Sequence, residues 1–477
     1  INMMMGGRAG FVSNNKYYIF IYNCILFTIL TDSTCRLLKR NTRCSSIFVL
    51  ETYADSSSEN VEFPPILDAD DIAYFFQKDD LDGLHWALSN VFQRRMKRQH
   101  VHSSSLIMKE EEGKELPTQI VSRGGGNHYS SAYKLEMDIE QAEYLAELYE
   151  TKVKNGKNNQ KKNPQDEVQA SFFSNVVAPA YRNVLSRIPP LEQLERTAGL
   201  YPFRKEDKIE IERYYNRALH LTADSHRHQH QQQHDASILN TKLNFHEIET
   251  RWKNMEQKNQ PGIVVIDDIL SPTALENIRN IMLESTVWFQ TKMPLRFGGY
   301  VGAYIDDGLH DKILLQLAFE LNKALPNIIG PDNPLRYLWA YKYDSRYSGI
   351  HTHADQAAIN VNIWLTPNDA NMDYPNDKAG GGLVIYTAKP PQHWNFESYN
   401  TDTERVREEL LKPTGYANVT VPFRFNRAVI FDSALFHHTD TFRFKDGYTN
   451  RRINLTLLYG TMQNGDGVHR DSTKTEL

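Results

Sequence analysis

Apolar residues recur three and four positions apart through the first half of the chain, which is the spacing of one face of a helix. The segment 68–92 is the clearest case, and similar patterns cover the ranges 141–153, 170–188 and 205–221. Pro189 and Pro190 stop the third of these patterns, because proline cannot continue a helix. The pattern therefore predicts a mostly α-helical domain over residues 61–250.

The pattern changes near Pro261. Gly262–Ile266 is a strand-like apolar run, and Ser271 with Pro272 can cap and start a helix. A further helix is predicted over residues 312–325, and short strand candidates separated by Gly, Pro and Asn follow it. This order predicts an α+β fold, in which residues 251–460 form a helix-flanked β-barrel or sandwich and residues 461–477 a polar tail.

Residues 1–60 combine an apolar run with a polar, Ser-rich linker. Tyr17–Leu30 is mostly apolar and follows the basic residues Arg8 and Lys16, but it is shorter than the ~20 residues of a membrane span. It fits a signal-peptide core or a short anchor, which predicts the secretory pathway (ER or Golgi) and membrane contact through this segment alone. The alternative is a buried helix in a cytoplasmic protein.

The composition is that of an ordinary globular protein. The 477 residues are 40% hydrophobic and 24% charged with a formal net charge of −5, so no nucleic-acid partner is expected. The three cysteines are Cys24, Cys35 and Cys44, which excludes a Cys-ligated zinc site or a cysteine nucleophile in the rest of the chain. The His- and Gln-rich segment near 224–236 is interpreted as a disordered loop between helices rather than a metal site.

A His-x-Asp motif occurs three times, at His353, His438 and His469. On extended backbone, residues two apart point to the same face, so both side chains can reach one metal ion. The spacing alone is weak evidence, but only His353-Ala-Asp355 is followed by several strand candidates, another His and an Arg-bearing strand. With His437 or His438 as third ligand, this is the 2-His-1-carboxylate pattern of non-haem Fe(II) oxygenases.

Two later strand candidates alternate strictly between apolar and polar residues. In residues 359–365 the polar face carries Asn360 and Asn362, and in residues 451–458 it carries Arg452, Asn454 and Thr456. An ordinary half-buried strand turns its polar face to water. The other interpretation is that both polar faces line the cavity of a barrel.

The order and spacing of six short segments carry a family resemblance. They are Gly262–Pro272, Trp339–Asp344, Gly349–Asp355, Gly380–Tyr386, Asn426–His437 and Gly447–Thr456. Together they make residues 261–460 resemble the Fe(II)/2-oxoglutarate-dependent dioxygenase superfamily, in particular its prolyl-4-hydroxylase-like branch. The resemblance implies a double-stranded β-helix, or jelly roll, for this domain.

The resemblance also assigns roles to single residues. It implies that His353, Asp355 and His437 are the metal ligands, with His437 favoured over His438 because it closes the Phe-Asp-Ser-x-Leu-x-His pattern. Arg452 is expected to bind the distal carboxylate of 2-oxoglutarate, since a guanidinium can pair with it bidentately. Tyr343 and, as a second candidate, Asn362 are expected to contact the same cosubstrate. His351 is either a neighbour of the ligands or a surface residue.

The implied cofactors are Fe(II) and 2-oxoglutarate, with O2 as the oxidant and ascorbate as a further candidate. The implied reaction is hydroxylation of a protein side chain, such as proline, or of a small molecule, with release of succinate and CO2. The carboxylate of Asp355 favours hydroxylation over halogenation, because related halogenases have a small residue there. A non-catalytic jelly-roll binding module and a cupin-like metal hydrolase or isomerase are the alternatives.

Overall fold

The computed structural model describes residues 67–102, 127–158, 163–222, 237–376, 379–391 and 393–462. The predicted leader and linker with all three cysteines, the loop near 224–236 and the tail from residue 463 lie outside the described residues. No helix in the described ranges is long and apolar enough to cross a membrane. The described residues belong to one compact unit, and the predicted domain boundary near residue 250 stays a prediction.

Helices dominate the described chain up to residue 257. The α-helices are α1 (Ala69–Gln77), α2 (Leu81–His102), α3 (Ala132–Asn158), α4 (Pro164–Phe172), α5 (Ala178–Leu185), α6 (Lys205–Ile211), α7 (Phe245–Gln257), α8 (Pro272–Glu284), α9 (Pro294–Phe297), α10 (Lys312–Ala324), α11 (Phe396–Thr401) and α12 (Thr403–Arg405). Single π-helical segments follow α4 and α12, at Phe173–Val177 and Val406–Leu411. Short 3₁₀ helices are Leu191–Thr197, Ile305–Asp307, Asn368–Ala370, Lys412–Thr414 and Tyr448–Asn450.

Two of the helical predictions need correction. The pattern over residues 68–92 forms two helices, because Asp79 adopts a φ of 53° and the Asp80 carboxylate accepts from the Gly83 amide at 2.8 Å. The helix predicted over 205–221 ends at residue 211, since Tyr215 turns into the core and its hydroxyl donates to the Tyr129 carbonyl oxygen at 2.9 Å. Tertiary packing overrides the local helical preference there.

The predictions after Pro261 are confirmed more closely. The Ser271 hydroxyl caps α8 by accepting from the Ala274 amide, and α10 covers the range expected for it. The strands are β1 (Tyr129–Ser130), β2 (Tyr201–Pro202), β3 (Ile263–Ile266), β4 (Gln290–Thr291), β5 (Tyr300–Tyr304), β6 (Leu335–Tyr343), β7 (Ile359–Trp364), β8 (Leu383–Tyr386), β9 (Asn418–Val421), β10 (Ala428–Asp432), β11 (His437–Thr439) and β12 (Ile453–Tyr459).

Two antiparallel sheets follow from these strands in the second half of the chain. The larger sheet has the strand order β3-β10-β7-β12-β6-β5-β4, and the smaller sheet has the order β11-β8-β9. One hydrophobic cluster joins their inner faces, with Tyr343, Trp364 and Phe431 from the larger sheet and Ile385 and Val421 from the smaller. The candidate site lies between these inner faces.

Helices cover the outer face of the larger sheet. The Phe76 ring of α1 stacks on Phe319 of α10 at 4.2 Å, and the Tyr459 hydroxyl of β12 donates to the Ala318 carbonyl oxygen at 3.0 Å. Side chains of β12 therefore divide between a helix-covered face and an inner face. The chain has a mixed helix and antiparallel sheet fold, as the residue pattern predicts.

Candidate metal centre

His353, in the segment between β6 and β7, forms an isolated antiparallel bridge with His437 of β11 in the smaller sheet. Each backbone amide donates to the carbonyl oxygen of the other residue, at 3.0 and 2.8 Å, and their ring centroids are 4.3 Å apart. The Asp355 amide donates to the Ser433 carbonyl oxygen at 3.0 Å, which holds the chain just before β7 against the segment before β11. Backbone pairing thus brings together residues that are far apart in the sequence.

The side chains of His353, Asp355 and His437 converge. One ligand atom from each lies within 4.8 Å of the other two, and no other such trio of His, Cys, Asp or Glu occurs in the described ranges. The Nε2 atom of His353 lies 3.5 Å from Oδ1 of Asp355, and the Nε2 atom of His437 lies 3.5 Å from Oδ2. The three residues that were predicted as metal ligands therefore place their ligand atoms close enough together to bind one ion.

Hydrogen bonds to the backbone orient both imidazoles. The Nδ1 atom of His353 lies 2.9 Å from the His351 carbonyl oxygen, and Nδ1 of His437 lies 3.0 Å from that of Leu435. Because a carbonyl oxygen only accepts, both Nδ1 atoms carry a proton, and Nε2 is the ring atom that can bind a metal when the ring is neutral. This is the tautomer of a metal-ligating histidine with a supporting outer hydrogen bond.

Burial and mutual charge decide the protonation of the trio. Burial raises the pKa of Asp355, but the hydrogen bond and charge of His353 outweigh it and hold that pKa below its usual value. Burial lowers the pKa of His353, but the Asp355 carboxylate raises it by more, so the net shift is upward. Burial and the neighbouring His353 charge lower the pKa of His437 to about 4, so His437 is neutral at pH 7.

Arg452 lies in the same cavity and is 1% exposed. Its Nε donates to the Gly381 carbonyl oxygen at 2.6 Å, and its guanidinium carbon lies 4.4 Å from the centroid of the Tyr343 ring. Among the described residues no carboxylate forms an ion pair with Arg452; burial lowers the pKa of this guanidinium, and the charge of Asp440 opposes the shift only in part. Such a group is suited to binding an anion.

The glycine-rich segment before β8 lets the backbone approach Arg452. A Cβ atom on Gly382 would lie 1.8 Å from the Val421 carbonyl oxygen, so only glycine fits between β8 and β9. The preceding Gly381 has a φ of 89° and presents its carbonyl oxygen to the guanidinium. The segment that carries part of the family resemblance thus supports the anion site.

No protein-family model and no curated protein matches the sequence. Solved structures do match, at low identity. The chain is similar to the α-ketoglutarate-dependent epimerase SnoN from nogalamycin biosynthesis, with 13% identity over 46% of this chain and 83% of that chain, and a TM-score of 0.31. HygX from Streptomyces hygroscopicus, with nickel, 2-oxoglutarate and hygromycin B bound, has 13% identity over 44% and 86% of the two chains and a TM-score of 0.30.

A prolyl-4-hydroxylase from Pseudomonas putida is similar over its whole length. It has 12% identity over 45% of this chain and 100% of that chain, with a TM-score of 0.28.

The remaining predicted residues take other positions. His438 lies outside the trio, with its ring 5.5 Å from that of Tyr386. The His351 side chain contacts the Ser348 hydroxyl at 2.9 Å, and only its carbonyl oxygen reaches a predicted ligand. Asn362 does not hydrogen-bond Arg452 in the described structure but lies within a row of buried side chains between Arg452 and Asp355.

That row is continuous. Asn360 donates to Oδ2 of Asp355, and the Asn362 amide donates to the Asn360 side-chain oxygen at 2.6 Å. Asn454 and Thr456 both donate to the Asn362 oxygen, at 3.0 and 2.7 Å. These side chains are at most 5% exposed, so the polar faces of β7 and β12 line the cavity and do not face water. Strand alternation left open whether the polar face with Asn360 meets water or a cavity, and the contact of Asn360 with Asp355 was not predicted.

Asn400 supports the ligand-bearing turn from a distant segment. Its side-chain oxygen accepts from the Ala354 amide at 2.9 Å, and its side-chain nitrogen donates to the Ala354 carbonyl oxygen at 3.0 Å. Ala354 stands between the two ligands His353 and Asp355, so α11 fixes the backbone that presents both. The sequence around Asn400 carries no motif that would have identified this contact.

Proposed function

We propose that the chain is an Fe(II)- and 2-oxoglutarate-dependent dioxygenase of the hydroxylase type. The observation that carries the proposal is the convergence of His353, Asp355 and His437, with both Nε2 atoms 3.5 Å from oxygens of one carboxylate. The proposal includes the jelly-roll form of the two antiparallel sheets, whose inner faces enclose these residues. The products besides the oxidised substrate would be succinate and CO2.

The donor set fits a divalent iron ion. Two imidazoles, which bind a metal in their neutral form, and one carboxylate supply three ligands of the kind that Fe(II) takes in oxygenases, and three ligands leave further positions for cosubstrate and O2. His353, Asp355 and His437 would hold the ion, which when bound supplies the redox chemistry that couples oxidation of 2-oxoglutarate to oxidation of the substrate. The roles of these residues are part of the proposal.

Arg452 would bind and orient 2-oxoglutarate through the carboxylate farther from the metal. Its guanidinium is buried, its position is set by Gly381 and by the Tyr343 ring, and it has no carboxylate partner among the described residues. A 2-oxoglutarate carboxylate would supply the missing negative charge. The aromatic rings of Tyr343, Tyr300 and Tyr341 pack against one another beside this position and exclude water from it.

The substrate is proposed to be a protein side chain, as in prolyl hydroxylases, or a small molecule. The inner face of β6 continues from Tyr343 to Trp339 and Tyr337, which are partly exposed, and Tyr304 of β5 lies 5.9 Å from Trp339. Trp339, Tyr337 and Tyr304 are therefore the aromatic side chains on β5 and β6 that a substrate can reach. Ascorbate as a further cofactor stays a prediction.

Anaerobic binding followed by turnover in air tests the proposal. Wild-type protein should bind Fe(II) and 2-oxoglutarate without O2 and release succinate when air is admitted. His353→Ala should lose iron, and Arg452→Ala should bind iron but bind 2-oxoglutarate weakly. His438→Ala is the control, because this neighbour of a proposed ligand lies outside the trio. Folded wild-type protein that binds neither ligand would exclude the enzyme and favour the non-catalytic binding module.

A further inference from the structure

The row of buried amides ends on one oxygen of the proposed metal-ligating carboxylate. Oδ1 of Asp355 lies 3.5 Å from Nε2 of His353 and Oδ2 lies 3.5 Å from Nε2 of His437, but only Oδ2 also accepts from Asn360. The two carboxylate oxygens are therefore not equivalent. Asn360 is fully buried, so no water replaces its amide in this contact.

We propose that Asn360 is a positioning residue that makes Asp355 a one-oxygen ligand of the metal. A hydrogen bond to Oδ2 occupies a lone pair on that oxygen and leaves Oδ1 as the better electron donor. A carboxylate that binds through both oxygens would take one of the positions that 2-oxoglutarate and O2 need. This inference rests on the metal centre of the proposed function.

The neighbouring side chains fix which end of the Asn360 amide faces Asp355. An asparagine can flip its amide, so its orientation is set by its partners. Asn362 presents its oxygen to two donors, Asn454 and Thr456, and its nitrogen must then face the Asn360 oxygen. The nitrogen of Asn360 is left for Asp355.

The direction of the row is also determined at its far end. The Asn454 oxygen accepts from the Arg452 guanidinium at 3.3 Å, so its nitrogen faces Asn362. A guanidinium has only donors and an ionised carboxylate only acceptors. Arg452 and Asp355 thus impose the same direction on every amide between them, and a flipped Asn360 would leave two buried groups unpaired.

Substitutions at Asn360 in the full chain, probed with Co(II), test the inference. Co(II) replaces Fe(II) because its visible spectrum reports coordination number and it tolerates air. Asn360→Leu keeps the branched shape of the side chain and fills the site, whereas Asn360→Ala leaves space, so an effect common to both arises from the lost donor. We expect both to change the Co(II) absorption spectrum and to weaken 2-oxoglutarate binding to the Co(II)-loaded protein about tenfold or more.

Two further variants separate positioning from loss of stability. Asn362→Leu removes the partner that orients Asn360, and we expect the same spectral change at smaller amplitude. Asn322→Ala is the control: its amide donates to the Gly330 and Asn333 carbonyl oxygens outside the row, so the spectrum should stay that of wild type.

The outcomes distinguish this inference from the proposed function. Wild-type protein that binds no Co(II) overturns both. Wild-type protein that binds Co(II), with Asn360→Leu and Asn360→Ala matching it in spectrum and in 2-oxoglutarate affinity, overturns the positioning role alone.

Discussion

Replacing Arg452 with Met should separate cosubstrate binding from stability. The guanidinium is buried, donates to Gly381 and stacks on Tyr343, but no carboxylate partner is present among the described residues. Met keeps much of the side-chain length and removes the charge. We therefore expect 2-oxoglutarate affinity to fall steeply while the free energy of unfolding changes little.

The magnitudes follow from the contacts of Arg452. Removing one partner of a buried charge pair costs about 2–5 kcal/mol of binding, which corresponds to about 30-fold to several thousand-fold in Kd. For the free protein, the Gly381 carbonyl oxygen loses its partner, at about 1–3 kcal/mol. Relief from burying an uncompensated cation offsets this by a similar amount. The net change in unfolding free energy should stay within about 2 kcal/mol.

Substitution of the neighbouring Arg451 is a matched control, because we expect it to change the free energy of unfolding and not the 2-oxoglutarate affinity. Its guanidinium pairs with Glu140 at 2.5 Å and with Asp344 at 3.2 Å on the other side of the strand. Arg451→Met leaves these carboxylates with less compensation and should lower the unfolding free energy by about 2 kcal/mol, because the pair is partly buried. Its 2-oxoglutarate affinity should stay within about threefold of wild type.

Calorimetric titration of 2-oxoglutarate into Co(II)-loaded protein measures the 2-oxoglutarate affinity. Urea unfolding of the metal-free protein measures the free energy of unfolding. The assignment of Arg452 as the anion-binding residue is refuted if Arg452→Met binds 2-oxoglutarate as tightly as Arg451→Met does.

Three further predictions concern acid stability, the ligand-bearing turn and the β8–β9 contact. Burial lowers the pKa of His310 to about 4. As pH falls, the unfolded chain therefore protonates this imidazole at a higher pH than the folded protein does. His310 alone should contribute about 2 kcal/mol to the unfolding free energy lost between about pH 7.5 and 5, and urea titrations should show a loss smaller by about this amount in His310→Phe than in wild type. Asn400→Ala removes both hydrogen bonds to Ala354 and should weaken Co(II) binding about tenfold by calorimetry; unchanged affinity would contradict the supporting role. Gly382→Ala forces β8 from the Val421 carbonyl oxygen and should cost about 1–3 kcal/mol in thermal unfolding.

The features that the sequence predicts well are those that depend on residues close together in the sequence. Ser271 caps a helix, and α10 lies where apolar spacing placed it, because both depend on residues within a few positions. The pair His353 and Asp355 was found in the same way, from a spacing of two and from the strands that follow. Local patterns of this kind survive folding when no distant contact opposes them.

The features that the sequence missed depend on contacts between distant segments. The helix predicted to continue to residue 221 ends at Ile211, because Tyr215 packs in the core. Asn400 reaches Ala354 from a different segment, and no periodicity marks it. Alternation placed Asn360 on the correct face, but its partner is set by the pairing of strands, which a single sequence does not specify.

The His353–His437 bridge has a consequence for how long the protein lasts in a cell. The bridge joins the segment between β6 and β7 to β11 of the smaller sheet, and a metal held by both rings would tie the same two segments a second time. A ligand that binds only the folded state stabilises it by about 2.7 kcal/mol at a hundredfold excess over its Kd. On the proposed function, we expect metal starvation to shorten the protein's lifetime against proteolysis, so that its abundance follows the metal supply.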